Sequence, residues 1–327
     1  MLAGEYAVLG PSGEALAVAV EPCLEVRAEP SGQWSLVRSD LGISWVEGEA
    51  VPTELAFAHA ALQTVRDACA DANVPHRIST HAPAVTTDST KRGLGSSASV
   101  AVAVTAALCA ATSGTLEKGR VLALALRAHR TAQGGLGSGY DVGTITMGGL
   151  VHWRPARVAG ASAGGHEAET IDWPKGLHMI AGYTGQSAST PRFLDRLQAI
   201  AADEATALTH ELMALGRPVS DLIQAFRQGA LDEVLVGVEA CHQALVAWDL
   251  ARSLGVMTPA IETMVRGAQS VGASAKVSGA GGGDSVVAFA RDPTALDALA
   301  TSWTAEGFAP VTINMHHSGV SMVSDPP

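Results

Sequence analysis

The chain is 327 residues long, enough for about two domains, and it is 47% hydrophobic against 16% charged, which favours sizeable packed cores over disorder. A net charge of −11 leaves no basic surplus to neutralise a phosphodiester backbone, so general nucleic-acid binding is excluded. The start, Met-Leu-Ala-Gly-Glu-Tyr, has no cationic leader pattern, and the longest apolar run, Val100 to Ala111, falls short of the ~20 residues a bilayer span requires; we expect a soluble cytoplasmic protein.

The four cysteines, Cys23, Cys69, Cys109 and Cys241, are scattered in apolar settings without a Cys-x-x-Cys pair. Buried free thiols in a reducing compartment are expected. Lysine is scarce: Lys91, Lys118, Lys175 and Lys276 are all there are, and Lys91 and Lys276 stand in glycine motifs, which suggests local anion binding.

In chain order, residues 2–9 read as a strand end and tight turn, and Gly10 to Gly13 as another turn. Ala15 to Arg27 reads as one long strand, followed by short strands at Gln33 to Val37 and Ile43 to Val46. Leu55, His59, Leu62 and Val65 recur at helical spacing, placing a helix over Pro52 to Ala72. A strand is expected at Arg77 to His81, and a helix at Leu116 to Ala132 with Leu122, Leu126 and His129 in line. His59 and His129 on such faces read as packed or exposed rather than catalytic, and Trp153 and Trp248 as core. Val142 to Trp153 reads as a strand interrupted by glycines. Residues 156–169, rich in Gly, Ser and Ala, are the best linker candidate. Beyond it come a strand at His178 to Tyr183 and helices at Pro191 to Met213, Val219 to Arg227, Leu231 to Ser253 and Pro259 to Val271. A strand (Ser285 to Ala290), a helix (Asp292 to Trp303) and a strand (Ala309 to Met315) follow.

Three glycine-rich loops carry the chemistry. The stretch Lys91-Arg-Gly-Leu-Gly-Ser-Ser-Ala-Ser99 feeds an apolar, alanine-rich segment, so it reads as a loop entering a helix N-terminus. Gly93 and Gly95 allow positive φ and close approach of a ligand, and Ser96 or Ser97 can cap the helix. Unpaired first-turn N–H groups and the helix dipole attract phosphate, and the hydroxyls suit a hard cation such as Mg²⁺. The string is not a Walker A loop. The second loop, Gly134 to Gly139, runs into Tyr140 and Asp141; the bland reading of Asp141 is a turn or helix cap. The third is Lys276 to Asp284, with Gly281-Gly282-Gly283 between apolar strands, where another backbone or a ligand must come close. Arg192, after the small polar loop Thr184 to Thr190, could form a bidentate fork on a phosphate.

Leu2 to Leu9, Gly93 to Ser99 and Lys276 to Asp284 resemble, in order, the three motifs of the GHMP kinases (galacto-, homoserine, mevalonate and phosphomevalonate kinases). Glu5-Tyr6, Ala132-Gln133-Gly134 before Gly137 to Asp141, the Thr184 to Thr190 loop and Ser278 to Asp284 are most similar to phosphomevalonate kinases. The resemblance implies a two-domain α+β GHMP kinase fold, with a ribosomal-S5-like domain at 1–170 and a ferredoxin-like α/β sandwich at 171–327.

It further implies ATP and Mg²⁺ as cofactors, with Gly93, Leu94, Gly95, Ser96, Ser97, Ala98 and Ser99 around the phosphates and Ser97 as metal ligand. Lys91 would reach the transferring group and Asp141 would orient or deprotonate the attacking oxygen. Glu5, Tyr6, Ser138, Gly139, Ser187, Ser189, Thr190, Arg192, Gly279, Ala280, Gly281, Gly282, Gly283 and Asp284 would shape the substrate side. The implied partner is a small phosphorylated acceptor, with neither nucleic acid nor membrane, on a monomer or homodimer. The implied reaction is phosphorylation of 5-phosphomevalonate; the alternatives are another small-molecule kinase of this family, or a nucleotide-binding regulator without turnover. Two departures bear on the acceptor: the family's Gly-Lys strand upstream of the first motif has no counterpart from Met1 onward, and Gly134-Gly135 stands where relatives often carry Gly-Lys. Either coding sequence precedes Met1, or another cation substitutes, or activity is impaired.

Overall fold

The computed structural model describes residues 1–69, 74–81, 95–135, 137–155, 166–186 and 190–323. The first half contains β1 (Ala15–Val18), β2 (Glu25–Pro30), β3 (Ser35–Arg38), β4 (Ile43–Val46), α1 (Ala56–Ala68) and β5 (His76–His81). It continues with α2 (Ser96–Ser113), α3 (Lys118–Ala132), α4 (Tyr140–Met147), β6 (Leu150–Arg154) and β7 (Glu167–Ile171). One sheet has the order β1-β6-β7 and a second β2-β5-β3-β4, in which β3 and β5 run parallel. Helices α1, α2 and α3 pack on one another above a core that includes Trp34, Trp45, Leu62, Ile78, Val104 and Trp153.

The second half contains β8 (His178–Tyr183), α5 (Thr190–Gln228), α6 (Leu231–Arg252), α7 (Pro259–Ser270), β9 (Ser274–Ser278), β10 (Ser285–Ala290), α8 (Pro293–Ala305) and β11 (Ala309–Thr312). Its antiparallel sheet has the order β11-β8-β10-β9. A second core gathers Phe226, Phe289, Trp303, Trp248 and Leu222, and it takes in Leu2, Tyr6 and Leu16 from the start of the chain. By length and composition α2 and α6 could cross a membrane, but both contribute residues to these cores.

Four expectations need correction. The long strand at 15–27 is two strands in different sheets, β1 against β6 and β2 against β5; Pro22, with no N–H to offer a ladder, lies between them. Residues 2–9 form no strand, only a bridge from Ala3 to Leu16 and a short 3₁₀ turn at Ala7–Leu9. The segment after Asp141 is not a strand until Leu150. Its β-branched Val142, Thr144, Ile145 and Thr146 sit in α4, where packing overrides their propensity. The hydroxyls of Thr144 and Thr146 donate to the carbonyls of Tyr140 and Val142, each at 2.7 Å, so their polar atoms are satisfied inside the fold. Finally, the helices expected on either side of Pro218 are continuous, and the non-helical residue within α5 is Glu204 (φ −132°, ψ 39°). All four cysteines are free as expected, but Cys23 is exposed.

Candidate active site

Two helix N-termini meet at the base of a cleft between the halves. Gly95 (φ 82°) precedes α2, and Gly139 (φ 76°) precedes α4. In both cases the helix starts from a glycine in the left-handed region, which only a residue without Cβ adopts readily. No side chain caps either start, so the serine cap expected at Ser96 or Ser97 is absent. The Ser99 hydroxyl instead donates back to the Gly95 carbonyl at 3.1 Å. Ser96 is exposed, Ser97 half-buried and Ala98 buried, so Ala98 has only its backbone to offer a ligand.

The cleft is open to solvent, holds a cavity of about 80 Å³, and is bordered by Gly95, Tyr140, Asp141 and Thr144 on one side and by Met179, Ser278 and Ser285 on the other. Asp141 occupies the first turn of α4, where the dipole favours negative charge, and its Oδ1 accepts the Val142 N–H at 2.9 Å. Its Oδ2 lies 3.8 Å from Nε2 of His129, on the last turn of α3. The same Nε2 is 3.3 Å from Oγ of Ser97. Burial holds the His129 imidazole below its ordinary pKa, opposed by the Asp141 carboxylate. Sequence reasoning passed over His129 because helical periodicity reports a face and not what that face meets.

The first and third motifs are joined directly. Lys276, fully buried, donates from Nζ to Glu5 Oε1 at 2.5 Å and to the Val277 carbonyl at 2.7 Å. The Tyr6 hydroxyl donates to the Ala280 carbonyl. Lys276 is therefore an internal counter-ion and not the free anion-binding cation its glycine neighbourhood suggested. Lys118 is likewise engaged, donating to the carbonyls of Met147 and Ser318.

In the third loop, a Cβ on Gly281, Gly282 or Gly283 would meet Val256 O, the Phe193 ring or Gln186 O at 2.6–2.7 Å. These glycines thus answer to the protein's own atoms. Gly279 alone of the four faces open space. Asp284 (φ 52°) donates its N–H to Gln186 O at 2.6 Å and accepts from Thr184 N at 2.8 Å, which ties this loop to the segment after β8.

The Ser138 carbonyl accepts from Trp153 Nε1 at 3.1 Å, and Gly139 is buried beneath Leu126. Tyr140 has its pKa raised, by burial first and then by the charges of Asp141, Glu5 and Asp284. Arg192 is exposed in the first turn of α5, outside the cleft lining. Lys91, Gly93, Leu94, Ser187 and Ser189 lie outside the described residues, as does the side chain of Thr190.

The family model for the GHMP kinases N terminal domain matches residues 56–149, and that for the GHMP kinases C terminal matches 222–309. The chain belongs to the GHMP kinases. The GHMP match at 56–149 covers the start of α2, His129 and Asp141, and the match at 222–309 covers the third loop. Similarity extends to a phosphomevalonate kinase of Streptomyces sp. (strain CL190), 27% identical across 98% of this chain and 96% of that one. A mevalonate kinase of Thermococcus gammatolerans is 27% identical over 70% of this chain and 64% of its own. The GHMP fold itself is shared with the Streptococcus pneumoniae phosphomevalonate kinase solved with phosphomevalonate and AMPPNP: TM-score 0.79, 21% identity, 96% of each chain.

A magnesium ion suits the donor chemistry present. Ser97 Oγ and the Asp141 carboxylate are hard oxygen donors brought to one nitrogen of His129. No group of three or more His, Cys, Asp or Glu side chains stands ready to enclose a metal among the described residues. A cation held by one or two protein oxygens, with phosphate and water completing the set, is how Mg²⁺ sits at nucleotide sites.

Proposed function

We propose that this GHMP kinase transfers the γ-phosphoryl group of ATP to the phosphate of 5-phosphomevalonate, giving the diphosphate in the mevalonate pathway. The observation that carries the reading is the Asp141 carboxylate at the head of α4, on the wall of the cleft and backed by His129. Near full-length similarity to a phosphomevalonate kinase supports this acceptor. The division into domains at 1–170 and 171–327 belongs to the same proposal.

Phosphoryl transfer asks for positioning and for cancellation of developing negative charge. The free N–H groups in the first turn of α2, from Ser96 to Ala98, cradle the phosphate tail, aided by the positive end of the helix dipole; the Ser99 N–H already donates to the Gly95 carbonyl at 3.0 Å. Ser97 is the proposed metal ligand; bound Mg²⁺ supplies charge neutralisation on the phosphate oxygens. Lys91 is assigned to the transferring group, and Gly279 with Ser187, Ser189 and Thr190 to the acceptor side. The attacking atom is a phosphate oxygen, already anionic at neutral pH. Asp141 therefore serves chiefly to orient the acceptor, and strong basicity is unnecessary.

An ADP-release assay across acceptors tests the proposal. Turnover with phosphomevalonate and not with mevalonate or sugars is expected. Turnover with mevalonate alone replaces the acceptor, and nucleotide binding without turnover on any acceptor overturns the kinase reading.

A further inference from the structure

The geometry points to His129 as a positioning residue that sets the Ser97 hydroxyl and the Asp141 carboxylate in register across two helix starts. This inference rests on the roles proposed above for Ser97 and Asp141, neither of which requires a histidine.

Three observations carry it. First, one nitrogen faces both oxygens: His129 Nε2 is within hydrogen-bond reach of Ser97 Oγ at 3.3 Å and lies 3.8 Å from Asp141 Oδ2 as a longer electrostatic contact. Ser97 belongs to α2 and Asp141 to α4, while the imidazole comes from α3, so it bridges two helices from a third. Second, the ring has little freedom. It is 3% exposed and lies beside Phe57 of α1, with centroids 5.1 Å apart at an interplanar angle of 33°. Third, Asp141 is anchored at one oxygen and faced at the other. The Val142 N–H donates to Oδ1 at 2.9 Å, and Oδ2 lies 3.8 Å from the imidazole, a longer electrostatic contact.

Side chains at helix N-termini are otherwise loosely placed, because Ser and Asp each swing about χ1 between staggered wells. Misplacing a reacting group by about 1 Å costs on the order of 10²-fold in rate. A buried imidazole between the two removes that freedom without touching nucleotide or acceptor. A residue that packed the core and nothing more would have no reason to put its nitrogen between these two oxygens.

The experiment compares wild type, His129→Ala and His129→Gln, the last retaining an N–H donor at similar reach. Calorimetric titration with AMPPNP, with and without Mg²⁺, reads the gain in affinity that the cation confers. That gain should fall about tenfold in His129→Ala and be restored in His129→Gln, as for groups that orient metal ligands. With phosphomevalonate at saturating Mg²⁺, kcat should fall ~10–100-fold in His129→Ala with the acceptor KM unchanged. If His129→Ala does not melt cooperatively, His129→Asn, whose amide stops short of both oxygens, takes its place. An unchanged cation gain in the truncated variant, or a glutamine variant as impaired as alanine, overturns the inference. A wild-type protein that binds Mg²⁺ with AMPPNP yet phosphorylates nothing overturns the kinase reading instead, and the cation gain alone then decides the part played by His129.

Discussion

Lys276 and Glu5 form an ion pair across 271 residues of sequence, with side chains 0% and 4% exposed. The pair fastens the segment Leu2 to Leu9, the first of the three family motifs, to the strand leading into the third, and Tyr6 to Ala280 makes a second tie beside it. Breaking such a pair from one side leaves a buried charge uncompensated. Lys276→Met alone should cost about 3–5 kcal/mol, whereas Lys276→Met with Glu5→Leu should recover most of it. Urea denaturation of the two single variants and the double variant measures the coupling; additive losses would show that the two charges do not depend on one another.

Asp141→Asn keeps the shape and the Val142 N–H contact but removes the charge at the head of α4. With its proposed role in orienting the acceptor, kcat should fall roughly 10²–10⁴-fold. ATP affinity should stay near the wild-type value, because the N–H groups of α2 are untouched. Steady-state kinetics with parallel nucleotide titration separates the two; an unaltered kcat removes Asp141 from the reaction.

Gly143 lies flat against Trp153. A Cβ there would come within 2.3–2.4 Å of the ring, and Trp153 is fully buried with nowhere to move. Gly143→Ala should therefore destabilise the protein by about 1–3 kcal/mol through overpacking, despite alanine's better helix propensity. A thermal melt that is unchanged or raised would contradict this.

Acid should weaken the fold through a cluster that joins the two halves. His152 is buried on β6. Arg227 of α5 donates to its Nδ1 at 2.9 Å, so the ring's own proton resides on Nε2, 3.4 Å from Glu14 Oε1. Arg154 and Ser220 also donate to Glu14, at 2.7 and 2.9 Å, and Arg227 to Glu169. Burial lowers the His152 pKa below the usual 6.5, outweighing Glu14. A lowered histidine pKa means the unfolded chain takes up the proton first, so stability is full above pH 6.5 and declines as pH falls through that value. Glu14 acts in the same direction at lower pH. Burial would raise its pKa, but the hydrogen bonds from Arg154 and Ser220 prevail and hold it below 4.5, so its contribution is lost as pH falls below that. Melting temperature followed from pH 8 to pH 2 at constant ionic strength should drop in two stages, and His152→Gln should flatten the upper one.

The amino-acid sequence by itself determined where the backbone must be bare and where it must coil or extend. The second and third glycine loops, α1, α3, α6 and α7, and strands β8 and β10 are all legible in it, because spacing and glycine chemistry are local properties. The GHMP resemblance was legible for the same reason: its motifs are contiguous strings. Only the tertiary structure decided that residues 140–147 coil, since Val142, Thr144 and Thr146 speak for a strand until Gly143 is pressed on Trp153. It also decided that Lys276 turns inward to Glu5, and that His129 stands between Ser97 and Asp141. Periodicity tells which side chains share a face, but the partner waiting there comes from distant sequence and is chosen by packing and by the need to pair every buried polar group.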